Sequence, residues 1–576
     1  MPYRKRYTAL FSALMVIFSQ LAGALPAAEP NPGAIAEVDA IFGDFDTRES
    51  PGCSLGVIRN GEFIYRRGYG MANLEYDIPL SSRSVFRIGS TSKQFTAMAI
   101  TLLAESGQIS LGDPLSKHFP EFPAWAKQMS IQQLVHHSSG IRDYLDLAYL
   151  AGKTEDSDYF SDDWVIALLA RQNESNFPPG TEFLYSNSGY LLLAHVVKRA
   201  TGLSLREFSE KNIFVPLGMN NTHFHDDHTH IVKQRASGYA PTDEGFSISM
   251  TTLDIVGDGS IYTTIDDLLA WDRNFYQNRL GKGGPAVIEQ LTTAGTLSGG
   301  DKMTAGAGHS FAFGQQYASG LLLENYRGLP MISHGGAFVG YRAEIIRFPE
   351  QRFSVAVLCN RSDGAPTAKA RQVADYFLAD VLQTRPEKEL AGDGFQLSEA
   401  QLQLYAGDFW EESESFAAET QVDGGKLWAV HSPERRNELT PVGPHRFRML
   451  GLPGDILVEF TMNDSGVERM VSIVDGYPGG SFTPFSRREI SPAELGKYSG
   501  DYYSPELDVR YMLEMDEGRL MFRLKDQDPR ELTAMFGETF ESPDWGAFQF
   551  KREGKGNITG FLLSSGRVRN LLFIRQ

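Results

Sequence analysis

Residues 86–93 read FRIGSTSK and stand between two β-rich runs and an apolar helical pattern. Upstream, residues 53–58 (CSLGVI) and 62–70 (EFIYRRGYG) flank an Asn-Gly dipeptide, which is a strong hairpin signal. Downstream, apolar residues recur at helical spacing, at Phe95, Met98, Ala99, Leu102 and Leu103. This order predicts a hairpin followed by a helix that starts near Ser90.

A second apolar helix is predicted over about residues 188–200, and strands return at residues 342–348 (RAEIIRF) and 353–359 (FSVAVLC). A final helix, with one apolar face, is predicted to end near Thr384. Strands, then helices, then strands predict an antiparallel sheet whose first and last strands meet, with helices packed on it.

Beyond Leu397 the helical periodicity disappears, and the sequence repeats itself at a spacing of 93 positions. The matched pairs are Tyr405 and Tyr498, Asp408 and Asp501, Gly425 and Gly518, Leu427 and Leu520, Glu438 and Glu531, Thr440 and Thr533, and Phe447 and Phe540. Pairs that share one spacing indicate a true repeat. We therefore predict two tandem all-β domains, at residues 395–488 and 491–576, each of a size suited to a small barrel or sandwich.

The N-terminus opens with Arg4, Lys5 and Arg6, continues through an apolar stretch at about residues 7–21, and then has small residues. This pattern is typical of a secretory signal, which we place at residues 1–28; the alternative is an uncleaved anchor. No other segment is apolar enough to cross a bilayer. We expect an exported protein, periplasmic or secreted, without a transmembrane segment in the mature chain.

Composition excludes several classes of protein. A chain of 576 residues should divide into several units, and 42% hydrophobic with 22% charged residues is ordinary for a globular protein. Its 72 acidic and 54 basic residues give a formal charge of -18, which disfavours nucleic acid as a partner. Only two cysteines are present, Cys53 and Cys359, so no disulfide framework and no cysteine metal site is available.

Ser90 and Lys93 form a Ser-x-x-Lys sequence that, at a helix start, places both side chains on one face. A serine hydroxyl is a poor nucleophile unless a base takes its proton, and lysine serves when burial or nearby positive charge makes its neutral form accessible. The helix N-terminus also offers the Ser90 N–H to a developing oxyanion. The alternative is that Ser90 only caps the helix.

Two further segments carry groups suited to the same chemistry. Tyr185 and Asn187 lie on a loop just before the second apolar helix, where a tyrosinate beside a lysine ammonium would shuttle protons and an amide would hold a substrate carbonyl. His334 and Gly336 begin a strand region, and the next N–H, of Ala337, is a candidate second oxyanion donor. Taken singly, these segments also fit an ordinary loop and a glycine-rich turn.

Six segments together resemble the serine β-lactamase-like and penicillin-binding-protein-like hydrolase family, which includes class C β-lactamases, D-alanyl-D-alanine carboxypeptidases, D-aminopeptidases and esterases. The resemblance covers roughly residues 35–385. The six segments are FRIGSTSK (86–93), LVHHSSGIRDY (134–144), FPPGTEFLYSNSGY (177–190), PLGM (216–219), GDGSIYTTIDDLLAW (257–271) and ISHGGAFVGY (332–341).

The resemblance implies a multidomain α/β (α+β) protein. Its first domain, residues 33–388, would be a β-lactamase/transpeptidase-like hydrolase with an antiparallel sheet flanked by helices. The two all-β domains would be lipocalin-like barrels, as in D-aminopeptidases. The implied partner is a small-molecule or peptide substrate, no cofactor or metal is implied, and a homo-oligomer is left open.

The same resemblance implies roles for individual residues. Ser90 would be the acyl-accepting nucleophile, Lys93 and Tyr185 the base and acid pair, and Asn187 a ligand of the substrate amide. His334, Gly336 and Ala337 would form the third-motif strand beside the substrate, with the Ala337 N–H next to the Ser90 N–H in the oxyanion hole.

The third motif departs from the Lys-Thr/Ser-Gly that β-lactamases and carboxypeptidases of the family usually show. A neutral or weakly charged histidine, His334, stands where their lysine engages the substrate carboxylate. This favours the His-x-Gly branch, which looks like D-aminopeptidases and esterases. A β-lactamase or carboxypeptidase stays open as an alternative, as does a catalytically weak penicillin-binding protein that docks to envelope partners.

The resemblance also bears on the two cysteines. It implies that the FSVAVLC strand runs antiparallel beside CSLGVI, which brings Cys359 near Cys53. A disulfide is then a hypothesis, and two free buried thiols are the alternative.

The histidine-rich run at residues 223–230 contains residue types that bind zinc, but a polar loop is the favoured interpretation.

Overall fold

The computed structural model describes residues 32–154, 157–300, 315–383, 395–412, 415–432, 435–452, 456–474, 477–525, 527–543, 545–554 and 556–576. The secretory signal predicted at residues 1–28 lies outside these ranges. Among the residues described, no helix is both long and apolar enough to cross a bilayer.

Before residue 384 the chain runs from strands through a mainly helical region back to strands and a final helix, as predicted, with one further helix ahead of the first strand. The α-helices are α1 (Pro32–Ile41), α2 (Lys93–Glu105), α3 (Leu115–His118), α4 (Ile131–Val135), α5 (Tyr144–Leu150), α6 (Asp162–Ala170), α7 (Asn187–Thr201), α8 (Leu205–Ser209), α9 (Val215–Leu217), α10 (Ile265–Tyr276), α11 (Ala286–Thr292) and α12 (Pro366–Phe377). The strands are β1 (Cys53–Arg59), β2 (Glu62–Tyr69), β3 (Met71–Asn73), β4 (Ile78–Pro79), β5 (Phe86–Arg87), β6 (His223–Phe224), β7 (Tyr239–Thr242), β8 (Gly245–Ile248), β9 (Ile261–Thr263), β10 (Gln316–Tyr317), β11 (Leu322–Tyr326), β12 (Leu329–Phe338), β13 (Tyr341–Phe348) and β14 (Phe353–Cys359).

A seven-stranded antiparallel sheet organises this part of the chain, in the order β10-β11-β12-β13-β14-β1-β2. Its first and last strands, β1 and β14, are neighbours, which confirms the predicted topology. The β1–β2 hairpin turns at Asn60 and Gly61, whose φ angles of 54° and 76° suit a tight hairpin turn.

Helices cover both faces of the sheet. On one side α2 and α7 form the core, where Phe95 packs on Trp271 with ring centroids 4.2 Å apart. On the other side α12 packs against β13 and β14, and α1 packs on α12. Helix α12 ends at Phe377 and not near Thr384, because Leu378 leaves helical geometry, and turns then carry the buried Leu382 back onto the core.

Cys53 and Cys359 face each other in the register of β1 and β14 and are bonded to one another, with Cα atoms 4.0 Å apart. Both side chains are fully buried. The structure thus favours the disulfide over the alternative of two free thiols.

The C-terminal part forms two closed eight-stranded barrels, as the repeat predicts. Short helices α13 (Glu399–Leu402) and α14 (Pro492–Leu495) precede them. The first barrel consists of β15 (Gly407–Glu411), β16 (Phe416–Asp423), β17 (Lys426–Ser432), β18 (Arg435–Gly443), β19 (Arg446–Met449), β20 (Ile456–Asn463), β21 (Gly466–Val474) and β22 (Tyr477–Phe485). The second consists of β23 (Gly500–Ser504), β24 (Val509–Asp516), β25 (Arg519–Leu524), β26 (Arg530–Ala534), β27 (Thr539–Ser542), β28 (Gly546–Arg552), β29 (Ile558–Ser565) and β30 (Val568–Arg575).

Repeated residues fill equivalent places in the two barrels. Tyr405 packs on Phe447 in the first, with ring centroids 4.8 Å apart, and Tyr498 packs on Phe540 in the second, 4.7 Å apart. The conserved spacing of the repeat therefore reflects one core arrangement built twice.

The second barrel packs directly on the N-terminal domain. The ring of Trp545 lies 5.1 Å from that of Tyr149 at the end of α5, and the Tyr511 hydroxyl donates to the Leu150 carbonyl at 2.7 Å. Buried apolar residues of this barrel join the main core of the N-terminal domain, whereas the first barrel has a core of its own. The second barrel is thus positioned to affect the site described next.

Candidate active site

Ser90 lies in a short 3₁₀ turn, Gly89–Ser92, that leads directly into α2. Its side chain makes no capping hydrogen bond to the helix and contacts Lys93 instead, so the interpretation of Ser90 as a helix cap is wrong. A 3₁₀ turn ahead of the helix keeps residues 90 and 93 on one side, because i and i+3 nearly eclipse in that geometry.

Strand β12 approaches this turn so closely that two glycines are needed. Gly89 has a φ of 50°, and a Cβ placed on it would stand 2.7 Å from the backbone nitrogen of Ala337. A Cβ on Gly336 would stand 1.9 Å from the Ile88 carbonyl oxygen. The two glycines therefore bring the Ala337 backbone next to Ser90, where a pair of N–H donors would form an oxyanion hole.

Lys93 is fully buried, and its Nζ contacts three oxygen acceptors. These are Ser90 Oγ at 3.1 Å, Asn187 Oδ1 at 2.8 Å and the Asp258 carbonyl oxygen at 2.7 Å. Burial lowers the pKa of Lys93 from 10.5 to about 7, and the carboxylates of Asp258 and Asp143 oppose this shift. A substantial share of neutral amine is thus available near neutral pH, in hydrogen-bond reach of the serine hydroxyl.

Tyr185 stands on the other side of the lysine, whose Nζ lies 4.7 Å from the centre of the tyrosine ring. Burial raises the pKa of Tyr185 well above its ordinary value, and Ser90 partly offsets this. The group is therefore a phenol at neutral pH and not the tyrosinate considered from the sequence. Its buried hydroxyl makes no hydrogen bond of ordinary geometry within the described part of the chain, which leaves it suited to act as an acid.

His137 holds the loop that carries Tyr185. Its Nδ1 accepts the Ser186 N–H at 3.1 Å, its carbonyl accepts the Leu184 N–H, and its ring lies 4.1 Å from the Tyr185 ring. Burial keeps the pKa of His137 well below 6.5, so the imidazole is neutral and remains an acceptor. His137 lies in the LVHHSSGIRDY segment that carries the family resemblance, and the sequence alone suggests no role for it.

Asn187 is the first residue of α7, and Asp143 fixes its backbone. Asp143 Oδ2 accepts the Asn187 N–H, while Oδ1 caps α5 by accepting the Leu145 N–H at 3.0 Å. Because Lys93 occupies Oδ1 of Asn187, the Nδ2 donor is the group that Asn187 would offer to a substrate carbonyl.

His334, Gly336 and Ala337 lie in the second half of β12, not at the start of a strand as the sequence suggested. The His334 imidazole donates from Nδ1 to the Gly335 carbonyl and accepts at Nε2 from the Tyr317 hydroxyl at 3.2 Å. Burial, with a smaller effect of Lys93, lowers the pKa of His334 to about 3. The third-motif strand is therefore uncharged at neutral pH.

The structure thus brings together all seven residues that the sequence analysis singled out. It adds His137, Asp143, Asp258 and Tyr317, and one residue of the second barrel, Arg567. The first three occur in segments quoted for the resemblance, so a signal existed for them. No local pattern around Tyr317 or Arg567 marks either residue.

The histidine-rich run at residues 223–230 has other partners. His223 contacts His225, His228 pairs with Asp254 at 2.9 Å, and His230 contacts Arg206. Among the residues that the structure describes, no group of three or more histidine, cysteine, aspartate or glutamate side chains is arranged to hold a metal ion.

Comparison with known proteins gives a consistent result. The model of the Beta-lactamase family matches residues 38–379, which is more than half of the chain. Penicillin-binding protein 4* of Bacillus subtilis is 26% identical over 432 residues, covering 72% of this chain and 91% of that protein. A D-aminopeptidase of Cereibacter sphaeroides is 25% identical over 546 residues, covering 91% of this chain and 96% of that enzyme, so the similarity extends into the barrels.

One solved structure is similar in both fold and sequence. The octameric penicillin-binding protein homologue from Pyrococcus abyssi superposes with a TM-score of 0.54 at 26% identity. The match covers 78% of this chain and 98% of the homologue.

Proposed function

The chain belongs to the β-lactamase family, and from this premise we propose that it is a serine hydrolase of the D-aminopeptidase type, which cleaves amides through an acyl-enzyme on Ser90. The observation that carries the proposal is the contact between Lys93 Nζ and Ser90 Oγ at 3.1 Å, made by a buried lysine with a pKa of about 7. A nucleophile is thereby held in reach of a base whose pKa lies near neutral pH.

Acylation uses the groups around Ser90 in turn. Neutral Lys93 takes the hydroxyl proton as Oγ bonds to the substrate carbonyl carbon, and the N–H groups of Ser90 and Ala337 stabilise the oxyanion. The Tyr185 phenol protonates the leaving nitrogen as the C–N bond breaks, and the Lys93 ammonium returns its proton to Tyr185. The products are a free amine and an ester on Ser90, with Lys93 and Tyr185 in their starting protonation states.

Deacylation uses Lys93 as the base a second time, with water in place of the serine hydroxyl. Neutral Lys93 takes a proton from water as the water oxygen bonds to the acyl carbon, and the proton passes to Ser90 Oγ as the ester bond breaks. The Nδ2 donor of Asn187 would hold the acyl-group carbonyl in both half-reactions. Each cycle consumes one water and releases one carboxylic acid.

The substrate class follows from the lack of charge on the third-motif strand. A neutral His334 offers no cation to the terminal carboxylate of a carboxypeptidase substrate or to a β-lactam carboxylate. The D-aminopeptidase relative and the uncharged strand together support an amide of a small D-amino acid. The same site would also hydrolyse esters that carry the same acyl groups.

A substrate panel on the mature protein tests this assignment. We expect D-alanine amide and D-alanine p-nitroanilide to be turned over at least about tenfold faster, in kcat/KM, than a peptide ending in D-alanyl-D-alanine, L-alanine amide or nitrocefin. Preferred turnover of nitrocefin or release of terminal D-alanine would favour the β-lactamase or carboxypeptidase alternative. The matched control is Ser90→Ala, which should be inactive on every substrate.

We further propose that the protein is exported. The basic and apolar segment at residues 1–28 and the bond between Cys53 and Cys359 both support an oxidising compartment outside the cytoplasm. Fractionation of cells that express the full chain should give a mature form about 28 residues shorter in the periplasm or medium. Retention of the full-length chain in the cytoplasm would contradict the proposal.

A further inference from the structure

The tight turn between the last two strands of the second barrel reaches the N-terminal domain. Pairing of Ser565 with Val568 leaves only Gly566 and Arg567 in the turn. Gly566 has a φ of 52°, as the first position of such a turn requires, and a Cβ on it would stand 2.8 Å from Asp146 Oδ2. The turn therefore presents Arg567 to the helix that starts at Tyr144.

The Arg567 guanidinium bridges two carboxylates of the N-terminal domain. Nη1 lies 3.2 Å from Asp143 Oδ2, and Nη2 lies 3.1 Å from Asp146 Oδ1. The Arg567 N–H donates to Asp146 Oδ2 at 2.7 Å, and its carbonyl accepts from Asn176 Nδ2 at 2.9 Å. Backbone and side chain together fix this arginine in place.

Asp143 links Arg567 to the active site. The same Oδ2 that faces Arg567 accepts the Asn187 N–H, and Asn187 Oδ1 accepts from Lys93 Nζ at 2.8 Å. The Asp143 side chain is fully buried. A buried carboxylate without a cation is strongly unfavourable, so the geometry of the first turn of α7 depends on the charge that compensates Asp143.

Burial and Arg567 have opposite effects on the ionisation of Asp143. Burial raises the pKa of Asp143 to about 6, and Arg567 is the main group that opposes this shift. Without Arg567, Asp143 would keep its hydrogen bonds from the Asn187 and Leu145 N–H groups but would either take up a proton at neutral pH or stay ionised with no cation beside it.

The same cation acts on Lys93. The charged and titratable groups that face the lysine are Asp258, Asp143, Arg567, His137, His334, Tyr185 and Tyr190. The two carboxylates favour its ammonium form, and Arg567 disfavours it. Both histidines are neutral, so Arg567 is the cation among these groups that disfavours the ammonium form of Lys93, while Arg87 acts on Asp258.

We propose that Arg567 of the second barrel is a positioning residue of the active site: it keeps Asp143 ionised, so that Asp143 fixes Asn187 against Lys93, and its own positive charge disfavours the lysine ammonium. The proposal rests on the proposed function only in that Ser90 is the nucleophile and Lys93 its base. Docking of the barrel then sets the activity of a serine whose sequence position is far removed.

The test is the rate at which a fluorophosphonate probe phosphonylates Ser90 of the full chain, with loss of fluoride, measured against pH. This rate reports activation of Ser90 whatever the natural substrate is. In Arg567→Met we expect phosphonylation at pH 6 to fall about tenfold or more, with a smaller loss at pH 9, so that the acid limb moves to higher pH. Arg567→Lys, which keeps the charge, should restore most of the rate.

The matched control is Arg569→Met. Arg569 pairs with Glu182 at 2.8 Å across the same interface, so this variant removes an ion pair of the same kind away from Lys93. Its acid limb should stay where the wild-type chain has it. A shift of equal size in both variants, or an unshifted limb in Arg567→Met, would overturn the proposal.

Folding of the variants is checked by thermal unfolding. The Arg142–Glu506 ion pair at 3.0 Å and the Tyr511 bond to Leu150 still dock the barrel when Arg567 is changed. Should Arg567→Met not fold, Arg567→Gln retains hydrogen bonding without charge and should show the same shift. No labelling of Ser90 in the wild-type chain would overturn the proposed function and this inference with it, whereas labelling with an unshifted profile in the variant would overturn this inference alone.

Discussion

At the scale of single residues, the pH dependence of activity should be that of Lys93. Burial gives this lysine a pKa of about 7, and the amine must be neutral to accept the Ser90 proton. We therefore expect kcat/KM to rise about tenfold per pH unit below pH 7 and to level off above it. Assays between pH 5 and pH 9 check this. A profile that is flat across this range would contradict a lysine base.

The same burial predicts a link between Lys93 and stability. The pKa of Lys93 is about 7 in the folded chain and 10.5 in the unfolded chain, so the unfolded chain binds the proton more tightly. The fold therefore loses stability as pH falls through this window. Lys93→Met should be inactive. As pH falls from about 10 to 7, its free energy of unfolding should rise relative to that of the wild type by an amount on the order of a few kcal/mol. Denaturant melts at both pH values measure this, and a gap that does not change with pH would contradict it.

Sequence reasoning at this scale succeeds where chemistry and local spacing coincide. Ser90 and Lys93 lie three positions apart, and this common spacing gains weight from the β-rich runs before it and the apolar helix after it. Asp143 was not singled out, since an aspartate ahead of an apolar run predicts only a helix cap, and it does cap α5. Its second role, toward Asn187 and Arg567, arises only when distant segments meet.

At the scale of secondary-structure elements, the joined strands β1 and β14 should depend on the Cys53–Cys359 bond. The bond closes a loop with a sequence separation of 306 residues. Removing a disulfide of this kind typically costs about 2–5 kcal/mol, although the dependence on loop length is weaker in practice than chain entropy suggests. We expect no titratable thiol in denaturant without reductant, and a lower melting temperature for the double variant Cys53→Ser, Cys359→Ser. Two titratable thiols in the untreated protein would contradict the bond.

Elements were predictable where a period and a terminator agree. Helix α7 ends at Thr201, where Gly202 takes a left-handed φ of 78°, and the β1–β2 hairpin turns at its Asn-Gly pair. The end of α12 was misplaced because buried Leu378 and Leu382 keep helical spacing in turns that are no longer helix. Apolar spacing reports which residues are buried and does not by itself report the backbone hydrogen bonds.

At the scale of the whole molecule, the two barrels should not be equivalent despite their repeat. The second shares a core with the N-terminal domain and contributes Arg567, whereas the first has a separate core. Replacing residues 395–488 with a flexible Gly-Ser linker should leave the rate at which the fluorophosphonate probe labels Ser90 within about threefold of wild type. Deleting residues 491–576 should abolish it or leave the chain insoluble. Equal losses in both variants would contradict this difference.

The sequence predicted the existence and number of the barrels, because a repeat is visible at its fixed spacing. It could not predict which barrel faces the active site, because docking depends on contacts such as Arg142 with Glu506 that join segments hundreds of positions apart. The homo-oligomer left open from the sequence stays a prediction, which light scattering of the purified protein would test.

The acyl-enzyme can be observed by intact-protein mass spectrometry during turnover of an activated D-alanine ester. We expect a transient mass increase of one alanyl group, located by peptide mapping on Ser90, and its absence in Ser90→Ala. Turnover without an adduct in the wild type and with undiminished rate in Ser90→Ala, or an adduct on another residue, would contradict an acyl-enzyme on Ser90.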